Sequence, residues 1–271
     1  MAHPIEDLQQ GSVINNKKLC EIFACSPQGG MRRSLKTNTL VIVSNHVKSI
    51  YDDRWEDDVL HYTGMGTKGN QSIDSTQNKT LAQSQNNGIS IHLFEVFVDQ
   101  EYFYRGIVAL CNDPYFERQP DERGMARDVC VFPLRLKSHS APIDREYLSK
   151  AFSKKSKKAK RLTDNEVLNR AKNASARTGF RTTSSKQYNR NPWVAEHAKR
   201  VAQGICQLCE NPAPFKDEHG EPFLETHHIK WMAKGGMDTI ENTIALCPNC
   251  HRRMHILNDT SDIQLLITKK R

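Results

Sequence analysis

The chain has 271 residues, a length that suits about two domains rather than one large core. Its 39 Lys and Arg against 31 Asp and Glu leave a formal charge of +8, which favours an acidic partner such as nucleic acid. No apolar run reaches membrane-spanning length and the first sixteen residues lack the apolar centre of a secretory signal, so a soluble, cytoplasmic protein with no membrane partner is expected.

In chain order, residues 40–43 (Leu-Val-Ile-Val) form a short apolar run of the kind a buried strand needs. Residues 78–84 read as a short helix closed by Asn87-Gly88. Residues 89–97 and 102–110 are rich in aromatic and β-branched side chains and flank a turn at Asp99-Gln100, the pattern of a hairpin. Residues 129–134 supply another strand. Several strands with one or two short helices predict a β-rich α+β domain over residues 1–143, a curved sheet or partial barrel. Cys20, Cys25, Cys111 and Cys130 show no metal-like spacing and read as buried free thiols.

The chemistry of this half gathers in Tyr51-Asp52-Asp53 and Tyr62-Thr63-Gly64. Two tyrosines bracketing an acidic turn can sandwich a flat base, a contact worth roughly 1–3 kcal/mol. A carboxylate can accept from the exocyclic amine of cytosine. A surface turn with two core-edge tyrosines is the alternative.

A wider pattern bears on that choice: Gly29-Gly30-Met31-Arg32, residues 40–43, Tyr51-Asp52-Asp53, Tyr62-Thr63-Gly64-x-Gly66, Gly69-Asn70-Gln71 and Asn78-x-x-Leu81-Ala82. Together these resemble the SRA family, whose PUA-like domains flip a modified cytosine out of duplex DNA. The resemblance implies a modified-base pocket in which Tyr51 and Tyr62 stack, Asp53 or Asp52 reads the base edge, and Thr63 lines the wall. Arg32, Arg33 and Lys36 fall where a loop enters the DNA groove, with a solvated basic loop as the alternative.

Residues 144–190 are strongly basic, with Lys150, Lys154, Lys155, Lys157, Lys158, Lys160 and Arg161 in quick succession. Thr163-Asp164-Asn165-Glu166 has the form of a capping box at a helix start, and the Ser/Thr-rich stretch 174–185 reads as flexible. The segment is expected to be a linker that touches DNA phosphates, or simply a solvated tether. A helix over residues 192–203, with Pro192 in its first turn, then opens a third segment, residues 191–271.

That last segment carries two interleaved ligand sets. Cys206-x-x-Cys209 and Cys247-x-x-Cys250 are two knuckles that fit a structural zinc with four thiolates. His251 and His255, at i and i+4 on a helix, share one face and can grip a second ion. The doublet His227-His228 follows the apolar run 222–224, read as a strand, and neighbours on a strand point to opposite faces. After a turn at residues 234–238, residues 243–246 make a second strand, so strand, turn, strand and helix form a ββα unit.

Leu224-Glu225-x-His227-His228-Ile229, Gly235-Gly236-x-Asp238, Asn242 and Ala245-Leu246-Cys247-Pro248-Asn249-Cys250-His251 closely resemble the HNH endonucleases of the zinc-stapled McrA-like branch. The resemblance implies a ββα-metal nuclease in which His228 is the general base and Asn242 fixes its loop. His227, His251 and His255 would hold a catalytic divalent metal (Mg, Mn, Ni or Zn). A zinc ribbon with spare histidines needs only the cysteines, and the zinc-deaminase pattern is absent because Ile229-Lys230 follow the doublet.

The whole chain is therefore expected to be a type IV, modification-dependent restriction enzyme of a bacterium. Its partner would be double-stranded DNA carrying 5-methyl- or 5-hydroxymethylcytosine. One HNH site cuts one strand, so a double-strand break implies a homodimer. The rivals are a nuclease reading another mark, such as a glucosylated base or a phosphorothioate, and a non-catalytic zinc protein that only binds DNA.

Overall fold

Leu40, Val41, Ile42 and Val43 are all apolar, so a strand built from them must be covered on both faces. In the computed structural model they lie within the strand Thr39–Asn45, with Leu40 and Ile42 in one core and Val41 and Val43 in another. The structure describes residues 5–48, 51–121, 123–139, 142–174 and 178–270, and divides into two units, Met1–Ser185 and Lys186–Arg271.

The first unit begins with β1 (Val13–Ile14), α1 (Asn16–Phe23), β2 (Met31–Ser34), β3 (Thr39–Asn45), β4 (Arg54–Glu56) and β5 (Val59–Thr63). It continues with α2 (Thr76–Ala82), β6 (Ser90–Val98), β7 (Glu101–Leu110), β8 (Tyr115–Pro120) and β9 (Ala126–Leu136). Among the described residues these nine strands form one sheet in the order β2-β3-β6-β7-β9-β5-β4, with β1 paired to β7 and β8 to β9. The β3–β6 pair is parallel. The expected hairpin closes as β6–β7 through Asp99 and Gln100. One face of the sheet buries Leu60, Tyr62, Leu93, Phe132 and Leu134 together with Leu81 of α2. The other receives Leu19, Ile22 and Phe23 of α1 against Phe94, Val96 and Tyr104. Of the four cysteines outside the knuckles, Cys130 is buried as expected, whereas Cys20, Cys25 and Cys111 are half-exposed.

The segment expected to be a linker differs from that reading. β10 (Ile143–Asp144), α3 (Arg145–Ala159), α4 (Asp164–Lys172) and β11 (Thr183–Ser184) all belong to the first unit. Asp144 caps α3 by accepting from the Glu146 amide, and Ile143 and Ala151 pack on Phe97 and Phe103. The capping box at Thr163 and Glu166 is formed. The Ser/Thr-rich stretch is anchored at its end: the Phe180 amide bonds the Trp55 carbonyl at 2.7 Å and β11 pairs with β10. Charge and polarity hid this, because only a few apolar side chains hold a long, mostly solvated segment to the sheet.

Arg181 shows what the anchoring uses. Its Nη1 and Nη2 donate to the two oxygens of Glu95 at 3.1 and 3.0 Å, and its guanidinium lies 5.3 Å from the Trp55 ring. Glu95 is 0% exposed and also meets Arg105 Nε at 3.2 Å, His46 Nε2 at 2.8 Å and Trp55 Nε1 at 3.0 Å. Burial by itself would raise this carboxyl, but Arg181, His46 and Arg105 hold it far below the usual carboxylate range. Glu95→Ala would leave two guanidiniums facing each other across the space the buried carboxylate had filled. The expected cost is about 3–5 kcal/mol in the first unit's urea transition. Because the folded-state value is depressed, the wild-type contribution is complete above the ordinary carboxylate range and is lost as pH falls through and below it. An unchanged transition midpoint would show that this cluster does not hold the unit together.

The second unit contains α5 (Pro192–Ala202), β12 (Glu225–His228), β13 (Thr243–Leu246), α6 (Pro248–Leu257) and α7 (Thr260–Lys269). The expected helix over 192–203 is present with Pro192 in its first turn. The first strand differs from the reading of residues 222–224. β12 is the polar stretch beyond them, paired antiparallel with β13 so that His227 faces Ile244 and His228 faces Thr243. Pro222 makes only an isolated bridge to Lys216, Phe223 stacks on Phe215 at 4.7 Å, and Leu224 enters the core. The apolar run marks burial beside the hairpin, and the hydrogen-bond ladder begins where the ligands are.

Candidate functional site

The second unit's core is small, built from Leu208, Leu224, Ile229, Ile244, Leu246, Met254 and Leu266 around the cysteines. All four sulfurs of Cys206, Cys209, Cys247 and Cys250 lie within 4.8 Å of one another, with Cys209 and Cys247 at 4.0 Å. Zinc–thiolate bonds of about 2.3 Å in a tetrahedron set sulfurs roughly 3.8 Å apart, so the cluster fits that ion with no open position. Burial raises the Cys206 thiol, yet backbone N–H groups of Cys209, Cys247 and Leu208 outweigh it and bring the group down to about 7. A thiolate is therefore accessible at neutral pH.

Beside this staple, strand alternation places Glu225 and His227 on one face of β12 and His228 on the other. The helix α6 presents His251 and His255 one turn apart toward Glu225 and His227. The three imidazoles each offer a nitrogen within 4.8 Å of the others, with His255 Nε2 and His251 Nε2 3.1 Å apart. His251 Nδ1 bonds the Glu225 carboxylate at 2.5 Å, which leaves Nε2 to face the shared point. His227 is 1% exposed and neither of its ring nitrogens has a hydrogen-bond partner among the described residues. Burial first, then His255 and His251, push it down to about 3, so it is a neutral imidazole at physiological pH. A buried polar ring without partners is costly unless something else engages it. The donor set fits a divalent cation.

His228 does not join this trio. Its Nε2 bonds Asp238 Oδ1 at 2.8 Å, and Asp238 Oδ2 accepts from the Asn191 amide. With Nε2 carrying the proton to that carboxylate, Nδ1 is left as the nitrogen able to accept one. Asn242 ties the intervening loop together: its Oδ1 accepts from the Lys230 amide at 2.8 Å, and its Nδ2 donates to Lys230 O at 3.0 Å and Met237 O at 2.7 Å. The turn needs glycine at 236, since a Cβ there would sit 1.9 Å from Lys230 O. A cleft of about 160 Å³ opens on the histidines and is walled by Tyr188, Arg190 and Trp231. Glu225 entered the sequence reading only within the Leu-Glu-x-His-His motif and without a role, although its i, i+2 spacing from His227 signalled a shared face. Asp238 entered only as part of the Gly-Gly-x-Asp motif, Arg190 counted only among the basic residues of the 144–190 segment, and nothing marked Tyr188.

In the first unit, Asp53 rather than Asp52 is drawn inward. The Thr63 amide donates to Asp53 Oδ1 at 2.9 Å and the Ser44 hydroxyl to Oδ2 at 2.8 Å, whereas Asp52 is exposed. Burial pushes Asp53 up to about 6 against these two bonds. A raised carboxyl stabilises the fold below the ordinary carboxylate range, and that contribution is lost as pH rises through about 6. Tyr62 and Tyr51 both feel the Asp53 charge, so the three side chains share one locality with Thr63. Tyr62 is 2% exposed, and a Cβ at Gly30 would lie 2.7 Å from its hydroxyl. Tyr51 is half-buried, with Arg127 5.9 Å from its ring.

The basic trio proposed for DNA needs correction. Arg32 sits on β2 at 4% exposure, not on a loop; its Nε donates to Gly29 O and Nη1 to Asn16 Oδ1. Arg33 also lies on β2 and spends its guanidinium on Thr39 O and Asn38 Oδ1. Both hold a turn because unsatisfied carbonyls there need donors. Lys36 alone is exposed.

A curved sheet that holds Asp53 between the Thr63 amide and the Ser44 hydroxyl, followed by a ββα unit with a four-cysteine cluster and a three-histidine cluster, is the arrangement expected of an SRA domain followed by an HNH endonuclease domain. The comparisons agree. Residues 10–152 match the family "ScoMcrA-like, SRA domain" and residues 206–256 match "HNH endonuclease". The chain belongs to the ScoMcrA-like SRA family and carries an HNH endonuclease domain. Over 78 residues it is 41% identical to the type IV methyl-directed restriction enzyme EcoKMcrA of Escherichia coli (strain K12), which is 29% of this chain and 28% of that protein. It also aligns with the type IV phosphorothioation-dependent restriction endonuclease ScoMcrA at 17% identity and a TM-score of 0.41, covering 97% of this chain and 60% of that one. A complex of the SUVH5 SRA domain with methylated CHH DNA aligns at 20% identity and a TM-score of 0.37, over 50% of this chain and 92% of that one. The chain thus spans under a third of the curated relative's length. No helix among the described residues is long and apolar enough to cross a membrane.

Proposed function

We propose that this protein is a modification-dependent DNA endonuclease, in which the first unit holds a flipped modified base and the second hydrolyses a phosphodiester. The observation that carries the reading is the convergence of His227, His251 and His255 beside the His228–Asp238 pair. A cation held by the three imidazoles would supply positive charge to the phosphate and leaving oxygen. His228, its Nε2 fixed on Asp238, takes the proton of the attacking water on Nδ1. Asn242 keeps residues 229–238 in place so that this nitrogen does not wander. Three imidazoles with no carboxylate ligand suit Zn or Ni better than Mg or Mn.

In the first unit Asp53 reads the base edge, Thr63 lines the pocket, and Tyr51 and Tyr62 supply aromatic faces. The flipped base is a 5-methyl- or 5-hydroxymethylcytosine in duplex DNA, and burying one methyl adds only ~1 kcal/mol, so the flip and the edge contacts supply most of the recognition. Two copies of the chain, each cutting one strand, would make a double-strand break.

The test is plasmid cleavage with Mg, Mn, Ni or Zn on DNA carrying 5-methylcytosine, 5-hydroxymethylcytosine, a glucosylated base, a phosphorothioate or no mark. Cutting confined to the cytosine-modified plasmids is expected. Equal cutting of every plasmid removes the sensor, cutting of the phosphorothioate plasmid alone reassigns the mark, and DNA binding without cutting under any metal removes the nuclease.

A further inference from the structure

Asp53 is linked to Glu95 by a chain of polar groups whose direction is fixed at one end. Glu95 is buried against Arg181 and Arg105, so it stays an acceptor, and His46 Nε2, 2.8 Å from Glu95 Oε1, must carry a proton toward it. The same nitrogen lies 3.4 Å from Ser44 Oγ. That one N–H is shared, donating chiefly to Glu95 and, at the longer distance, to the hydroxyl oxygen, while the hydroxyl's own proton goes to Asp53 Oδ2, 2.8 Å away. The other carboxylate oxygen already receives the Thr63 amide. Every group the protein aims at Asp53 along this chain is therefore a donor. Ser44 is 0% exposed and His46 is stacked on Phe97, with centroids 4.8 Å apart and planes 6° from parallel, so neither turns freely. Arg181, at the far end, lies outside the 10–152 segment that matches the SRA family and comes from the stretch that reads as flexible in sequence.

We propose that Ser44, oriented by His46 and Glu95, fixes Asp53 as a hydrogen-bond acceptor, so that the pocket selects a pyrimidine with an exocyclic amine over one with a carbonyl at that position. The inference rests on the base-pocket reading given above. An acceptor facing an amine gains a bond, and an acceptor facing a carbonyl meets a like dipole. Ser44 and His46 act through Asp53 and are positioning residues. Burial pushes Asp53 up to about 6, which is close enough to neutrality for the donors around it to matter.

The experiment measures equilibrium binding of the full chain, without added divalent cation, to four duplexes. They carry 5-methylcytosine, 5-hydroxymethylcytosine, thymine or 5-hydroxymethyluracil at one position opposite guanine. The readout is the affinity ratio of each amine-bearing base to its carbonyl counterpart, which a partly unfolded sample does not change. Ser44→Ala is expected to lower that ratio about tenfold, the size of one hydrogen bond to a charged group. His46→Phe keeps the stack on Phe97 but lacks the N–H and should move the ratio the same way, and His46→Gln, which can still donate, should restore it. Wild-type ratios in both Ser44→Ala and His46→Phe overturn the inference. A wild-type protein that binds modified-cytosine duplexes no better than unmodified ones overturns the pocket reading itself, and that result appears before any substitution is made.

Discussion

Replacing His228 by Ala should lower DNA cleavage by about 10²–10⁴-fold, the usual contribution of a positioned general base. Fold, zinc content and affinity for DNA should stay at wild-type levels. The reason is the division of labour across β12. His227 faces the helix and the other two imidazoles, while His228 faces Asp238, so removing the His228 ring would take away the proposed proton acceptor and leave the three clustered imidazoles in place. His227→Ala should give a loss of similar size by another route, lowering divalent-metal affinity as well. Single-turnover cleavage measured alongside metal titration separates the two. Near wild-type cutting by His228→Ala would remove it as the base and leave the His228–Asp238 bond a merely structural contact.

If the four-cysteine cluster holds zinc as proposed, removing that ion should unfold the second unit and leave the first intact. Apparent zinc-binding energies in small metal-dependent folds are about 10–16 kcal/mol, more than a core of this size supplies without help. Cys206, Cys247 and Cys250 are themselves core members, packed with Leu208, Ile244 and Met254, so an ion held there would join two knuckles that also close the apolar interior. Cys250→Ser, or zinc extraction with a strong chelator, is expected to make residues 186–271 protease-sensitive while Met1–Ser185 stays resistant. Loss of the helical signal of α5 and α6 should accompany zinc release. A Cys250→Ser protein that keeps a protease-resistant second unit and full cleavage would show that the cluster is dispensable.

The two modules differed in how openly their residues announced themselves. In the second unit the ligands are close in sequence, and each sits in a local element with a fixed period. Cys-x-x-Cys makes a knuckle whatever surrounds it, and His251 and His255 share a face in any helix. Asn242 likewise could be assigned to its loop. The position of β12 was missed by a few residues because hydrophobicity reports burial and not hydrogen bonding. Leu224 is buried without being in the strand, and Glu225, Thr226, His227 and His228 form the strand without being apolar.

In the first unit the side chains that matter are brought together from strands far apart. Ser44, Asp53, Thr63 and Glu95 lie on or beside four different strands, so no spacing rule connects them. The choice of Asp53 over Asp52 depended on which carboxylate found the Thr63 amide, and the demotion of Arg32 on which carbonyls a turn left unpaired. The amino-acid order by itself determined the four-cysteine and three-histidine clusters, the alternation of His227 and His228, the β6–β7 hairpin and the capping box that opens α4, because each follows from a local period or spacing. Only the tertiary structure decided where residues 144–185 belong, which of the two acids is tied to the Thr63 amide and the Ser44 hydroxyl, and which groups stand behind it. Those outcomes turn on long-range pairing and on the cost of leaving a buried charge such as Glu95 without partners, and neither is written in any short stretch of chain.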